Sequence, residues 1–272
     1  MKYMNLLILF LIAVGGGILN AFSWVNLPPV GPREMNLSLL ILQLSGNRND
    51  IVLLGTMDEL LNFSIRMIPG YLACIVIGIE LYRHFCTAGV YVFSRYTKRL
   101  RWYLSELSDM FLSSLAFQVL TVAAVLIVSM IRFHVVFDGA GCLLMVYHIL
   151  IYTLWLYSMS LLLSTIASYS GSEAAYIFII GLQTFMIALL SLNNADWGEP
   201  FLMINPASRL VLGWYDSTVR LLPYQIRGNS YQWLSFAGSV VLLLAGALMI
   251  SFITSYLIRH RDILGSNAEI GV

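Results

Sequence analysis

Six runs of about 20 apolar residues constrain this chain more than any motif it contains. At 1.5 Å of rise per residue, a helix of that length crosses about 30 Å of hydrocarbon. The runs are Met4–Val25, Ile65–Tyr82, Met110–Ile131, Cys142–Ile166, Ala174–Leu192 and Trp233–Ile258. Lipid offers the backbone no hydrogen bonds, so each run must satisfy its own polar groups, which a helix does. Composition agrees: 59% of the 272 residues are hydrophobic, 11% are charged and mean hydropathy is +0.82. Soluble domains run roughly 45–50% apolar and about 25% charged. The expected fold is a single all-α polytopic membrane domain over residues 1–272, since neither a composition shift nor a fixed-period repeat divides the chain.

A net charge of +1 excludes the broad basic face of a nucleic-acid binder. Cys74, Cys86 and Cys142 form no disulfide framework. The first run is too long for a signal-peptide core and reads as a retained helix. Orientation follows from the Lys and Arg residues near span ends. Arg83, Arg95, Lys98, Arg99 and Arg101, five of the chain's 15, cluster between the second and third runs. That cluster places both termini in the cytoplasm of a cell-membrane protein.

The cationic stretch lies within Glu80–Leu107 and is rich in aromatic residues. At about 100° per residue it predicts an amphipathic helix with Val90, Phe93, Thr97, Leu100 and Leu104 on one face and Arg95, Lys98 and Arg99 opposite. Such a helix suits an anionic lipid surface, at roughly 1 kcal/mol per positive side chain. It equally suits a cytoplasmic protein partner.

On the other side, Asn26–Ser64 has turn signals at Pro28, Pro29, Gly31 and Pro32, then a run Leu37–Leu44 too short to span. It also holds two sequons, at Asn36 and Asn62. The loop Arg132–Gly139 reads as a simple connection. Asn193–Gln232 is too apolar for a free loop and too interrupted for a seventh span, which predicts short interfacial or re-entrant helices. Asn205 would cap one such helix begun by Pro206, with Trp214 and Tyr215 at headgroup depth. Between the fourth and fifth runs, Gly171 would end one helix and Ser170 or Ser172 would cap the next.

Polar groups inside the apolar runs are the candidate path residues: Glu80, Gln118, His148 and Gln183, with Asn20 beside them. Interhelical hydrogen bonding is their competing structural role. Glu80 lies fourteen residues from Arg66, roughly 21 Å along a helix, and needs a donor such as Arg83 or His84. The triplet Gly15, Gly16 and Gly17 predicts close helix packing. No HExxH, GxSxG, Walker A or metal-spaced cysteine pattern is present, and Lys2 and Lys98 are the only lysines. Catalytic and metal residues are therefore not assigned, and any active work would draw energy from another polypeptide.

The order of these features resembles the permease subunit of the type-two ABC exporter family. The resemblance rests on Glu80 and Gly89 followed by SRYTKRLRWYLSEL, and on Asn205-Pro206 within INPASRLVLGWYDS. Glu80 and Gly89 stand farther apart than in the common family pattern. The resemblance implies six spans, a coupling helix built from Gly89, Val90, Phe93, Arg95, Lys98, Arg99, Leu100, Arg101 and Leu104, and re-entrant helices before the last span. It also implies two ATP-binding subunits carrying ATP and Mg, a second permease, identical or homologous, and no cofactor on this chain. The compact segment Asn26–Ser64 is similar to that of peptide-antibiotic export or immunity permeases, with drug and lipid exporters of similar size. From a different class, the same features fit a non-transporting immunity or sensory protein that binds a ligand through its outer loops.

Overall fold

The computed structural model describes residues 2–25, 34–45, 57–91, 99–194, 198–222 and 231–260. In chain order the elements are α1 (Lys2–Val25), β1 (Glu34–Asn36), α2 (Leu37–Leu44), α3 (Met57–Tyr91), α4 (Arg99–Arg132), β2 (His134–Val136), α5 (Gly139–Ser170) and α6 (Ser172–Ala188). A 3-10 turn at Leu189–Asn194 leads to α7 (Glu199–Ile204), two further 3-10 turns at Pro206–Leu210 and Leu212–Trp214, then α8 (Asp216–Leu221) and α9 (Phe236–His260). Helices α1, α3, α4, α5, α6 and α9 are each long and apolar enough to cross a membrane. The chain is a multi-pass, helical membrane protein.

α5 is the central post. Leu144, Ile151, Leu161 and Leu163 on it are fully buried, and α3, α4, α6 and α9 all pack against it. A helix apolar on every side belongs in such a position. Its hydroxyls are accommodated by back-bonding within the helix, Ser158 Oγ donating to the Leu154 carbonyl at 2.7 Å and Thr165 Oγ1 to that of Leu161 at 2.8 Å. Thr165 Oγ1 also lies 2.6 Å from Thr254 Oγ1 and so ties α5 to α9. The outer helices present Ile127, Ile177, Leu248 and Phe252 to their surroundings instead, as a lipid-facing surface does.

Glycines set the closest approaches. A Cβ at Gly78 would stand 2.7 Å from the Ser160 carbonyl oxygen, so α3 meets α5 backbone to backbone. Gly16 sits on Pro69 of α3, and Gly17 sits on Thr121 and Ala124 of α4, with Cβ clearances of 2.5 and 2.7 Å. The expected close-packing role of the triplet therefore falls to Gly16 and Gly17, whereas a Cβ on Gly15 would meet nothing within 4 Å. Gly171 separates α5 from α6 with φ of 82° and ψ of 165°, backbone that favours glycine. It occupies the N-cap of α6 without a side-chain bond, so the expected serine cap is not used.

One end of the bundle carries a cap. The loop after α4, expected to be a mere connection, instead pairs β2 in parallel with β1, matching Met35 with Val135. Asp138 then caps two helices at once: Oδ2 accepts from the Gly141 amide of α5 and Oδ1 from the Ser38 amide of α2, both at 3.1 Å. Gly141 makes room, because a Cβ there would come 2.6 Å from the Ser38 nitrogen. At the far end of α2, Arg66 donates to the Gln43 carbonyl at 3.3 Å. A negative group at the N-terminus and a positive one at the C-terminus both favour the helix dipole. The eight residues of α2, too few to hold a helix alone, are thus fixed by two other parts of the chain.

The second part of the cap is the run of short helices before α9. Asn205 caps the turn begun by Pro206, its Oδ1 accepting from the Ala207 amide at 3.0 Å, as expected, while its Nδ2 donates to the Met186 carbonyl at 2.7 Å. Trp214 and Tyr215 do not face headgroups: both are fully buried in protein. The Tyr215 ring stacks on Phe236, which stacks in turn on Tyr147 of α5. Its hydroxyl donates to the Arg209 carbonyl at 2.8 Å and lies 2.9 Å from Ser239 Oγ. Burial raises its pKa.

Asp138→Ala leaves two amide donors without acceptors, at about 1–3 kcal/mol for each that remains buried. The expected outcome is a lowered unfolding midpoint for the detergent-solubilised protein in a thermal scan. Asp138→Asn should recover part of the loss, since its amide oxygen still accepts one bond.

Candidate functional site

The described parts of the cationic stretch belong to two spanning helices. Gly89 and Val90 lie in the last turn of α3, which runs without interruption to Tyr91, and Arg99 and Leu100 open α4. Phe93, Arg95 and Lys98 lie outside the described residues. At the two ends of the expected helix from Val90 to Leu104, the described residues are continuous with spanning helices, Val90 with α3 and Arg99–Leu104 with α4. The physical reason is local: from Glu80 to Tyr91 no proline interrupts the helix and Gly89 is tolerated in it, so α3 continues past its apolar part.

The extended arms of α3 and α4 meet where His84 Nδ1 lies 2.9 Å from Glu106 Oε2. His84 stands seven residues before the end of α3, and Glu106 seven after the start of α4. Each arm thus extends roughly 10 Å beyond this contact. Tyr103, buried on α4, donates to the Ser251 carbonyl of α9 at 3.3 Å, bracing the hairpin against the last helix. Arg101 and Leu104 are exposed, Leu104 by 53%, so it offers a surface rather than a brace.

Below the arms lies a cavity of about 230 Å³ lined by Glu80, His84, Glu106 and Asp109, with Leu6 of α1 and Met110 closing its apolar side. Glu80 and His84 are four residues apart on α3, and Glu106 and Asp109 three apart on α4, spacings that put each pair on one helix face. The arrangement gathers Glu80, Glu106 and Asp109 next to the apolar part of the two helices. Glu80 lines the same cavity as His84, whose Nδ1 is engaged with Glu106. The paired spacings were legible in the chain, but that they face one another is decided by the antiparallel approach of α3 and α4. Among the described residues, no group of three or more His, Cys, Asp or Glu is arranged to hold a metal ion.

The other path candidates engage separate neighbours. Gln183 of α6, buried, donates to Cys74 Sγ of α3 at 3.6 Å, an interhelical bond. His148 of α5 is buried with its ring centroid 4.2 Å from that of Tyr152 on the same helix, and neither His148 Nδ1 nor the Tyr152 hydroxyl has a hydrogen-bond partner. Gln118 is buried in α4. At the capped end Arg209 is buried, donating to the Met203 carbonyl at 3.1 Å and lying 4.8 Å from the centroid of the Trp233 ring. Burial lowers its pKa. No family model, curated protein or solved structure matches this chain.

The His84–Glu106 contact has 42% and 19% of its two side chains exposed. A double-mutant cycle with His84→Ala and Glu106→Ala should therefore give a coupling of about 0.2–1 kcal/mol in thermal unfolding. A coupling of zero would mean that other contacts hold the arms together.

Proposed function

We propose that this chain is the membrane-spanning permease subunit of an ABC exporter, moving a peptide, drug or lipid-like substrate by alternating access. ATP and Mg would be bound and consumed by two separate ATP-binding subunits, and a second permease, identical or homologous, would complete the path. The single observation that supports this reading most is the approach of α3 and α4 beyond their apolar parts, where they are joined at His84–Glu106 and braced by Tyr103 against α9. A motor needs a stiff element outside the apolar zone that is continuous with the spans it moves. Two helices continuous with spans meet that need better than a separate surface helix, because displacement at the tip passes directly into the adjoining parts of α3 and α4. From α3 it reaches the central post through the Gly78–Ser160 contact.

In this reading the hairpin tip and both termini lie in the cytoplasm, and the buried short helices close the outer end of the path. Arg95, Lys98, Arg99 and Arg101 orient the ATP-binding subunit, and Leu104 contributes apolar contact. The rival reading, a non-transporting immunity or sensory protein, draws on the capped end, where the β1–β2 pair and the short helices make a structured outer surface. The two differ in their partners.

Affinity purification of the tagged full chain from its native membranes should bring an ATP-binding polypeptide with it. Replacing Arg95, Arg99 and Arg101 together with Ala should reduce its recovery about tenfold, equivalent to about 1.4 kcal/mol, while the chain still inserts in the membrane. Absence of any ATP-binding partner from the wild-type sample, or equal recovery with the triple variant, would count against the proposal.

A further inference from the structure

A second cavity, of about 480 Å³, lies between α1 and α3 nearer the capped end. Leu11 and Leu19 of α1 and Ile65, Ile68 and Leu72 of α3 form its walls, all of them largely exposed. From Leu11 to Leu19 the groove runs roughly 12 Å, most of one leaflet's share of a hydrocarbon core of about 30 Å. Arg66 and Asn20 stand at one end, and Arg66 is the one charged residue among the described lining residues. Its guanidinium is directed by the bond to the Gln43 carbonyl. Gly15 lies on the wall with nothing within 4 Å of an added Cβ. Its neighbours Gly16 and Gly17 are closed by Pro69 and by Ala124.

We propose that this groove is a binding site for an anionic phospholipid of the bilayer, one acyl chain lying over Gly15 between α1 and α3 and the phosphate at Arg66. A guanidinium matches phosphate oxygens in charge and in its planar array of donors. The cationic part of a zwitterionic headgroup would meet no carboxylate among the described lining residues. The cavity at the hairpin end of the same helix pair has the opposite character, with Glu80, Glu106 and Asp109. Anionic lipid is therefore favoured at one end of the α1–α3 pair and disfavoured at the other. This assignment stands apart from the exporter reading, since it needs neither an ATP-binding partner nor transport.

The test is native mass spectrometry of the purified full chain, titrated with phosphatidylglycerol or phosphatidylcholine. The wild type should retain phosphatidylglycerol in roughly fivefold preference, the effect of one positive side chain. Arg66→Gln should remove that preference and Arg66→Lys should keep most of it. Gly15→Leu should lower the occupancy of both lipids with no loss of thermal stability, because its side chain enters open space. An undiminished preference in Arg66→Gln, or full occupancy in Gly15→Leu, would overturn the proposal. So would displacement of phosphatidylglycerol by inorganic phosphate, which would show a free-anion site instead of a lipid one.

Discussion

In hydrocarbon, apolar surface gives helices no reason to associate, so this bundle depends on close contact and on the hydrogen bonds that lipid cannot supply. The contacts are visible at Gly78 on Ser160, Gly16 on Pro69 and Gly17 on Thr121 and Ala124, where any larger side chain would force backbones apart. α1, α3, α4 and α5 are linked through these positions. The polar side chains add the Thr165–Thr254 and Gln183–Cys74 contacts at separate points of the same core. What is left facing outward is apolar because the surrounding medium is.

The two ends of the bundle solve different problems. At the capped end the chain leaves the apolar zone with short segments that cannot stand alone, and each is secured by a residue distant in sequence. Asp138 and Arg66 hold the termini of α2, and Asn205 ties the short helices to α6. Aromatic stacking of Tyr147, Phe236 and Tyr215 fills the space beneath. At the other end two long helices continue beyond the apolar zone, and the His84–Glu106 contact and the Tyr103 bond to α9 are among the interactions that hold them.

Six spanning helices were legible because a span is a local property: an apolar run of sufficient length is enough, and all six runs became helices. The Asn205–Pro206 cap and the helix-ending Gly171 were legible for the same reason, since each depends on its immediate neighbours. Trp214 and Tyr215 were misplaced at headgroup depth because aromatic residues suit both an interface and a core. Only the packing of Phe236 and Tyr231 against them distinguishes the two. The ends of the expected amphipathic helix were not legible, because a 100° periodicity does not reveal where a helix begins: α3 runs on to Tyr91, and Arg99 already belongs to α4.

The candidate site divides in the same way. That Glu80 and His84 share a helix face, and Glu106 and Asp109 another, follows from their spacing, because helical geometry repeats along a single chain segment. That the two faces confront one another around a cavity, that one carboxylate caps two helices, and that Gly15 opens onto a groove while Gly16 is closed by Pro69, were decided by tertiary structure. Each of these depends on how separate helices are rotated and set beside one another, and hydrophobic pattern specifies the medium a residue prefers without naming the neighbour it will meet.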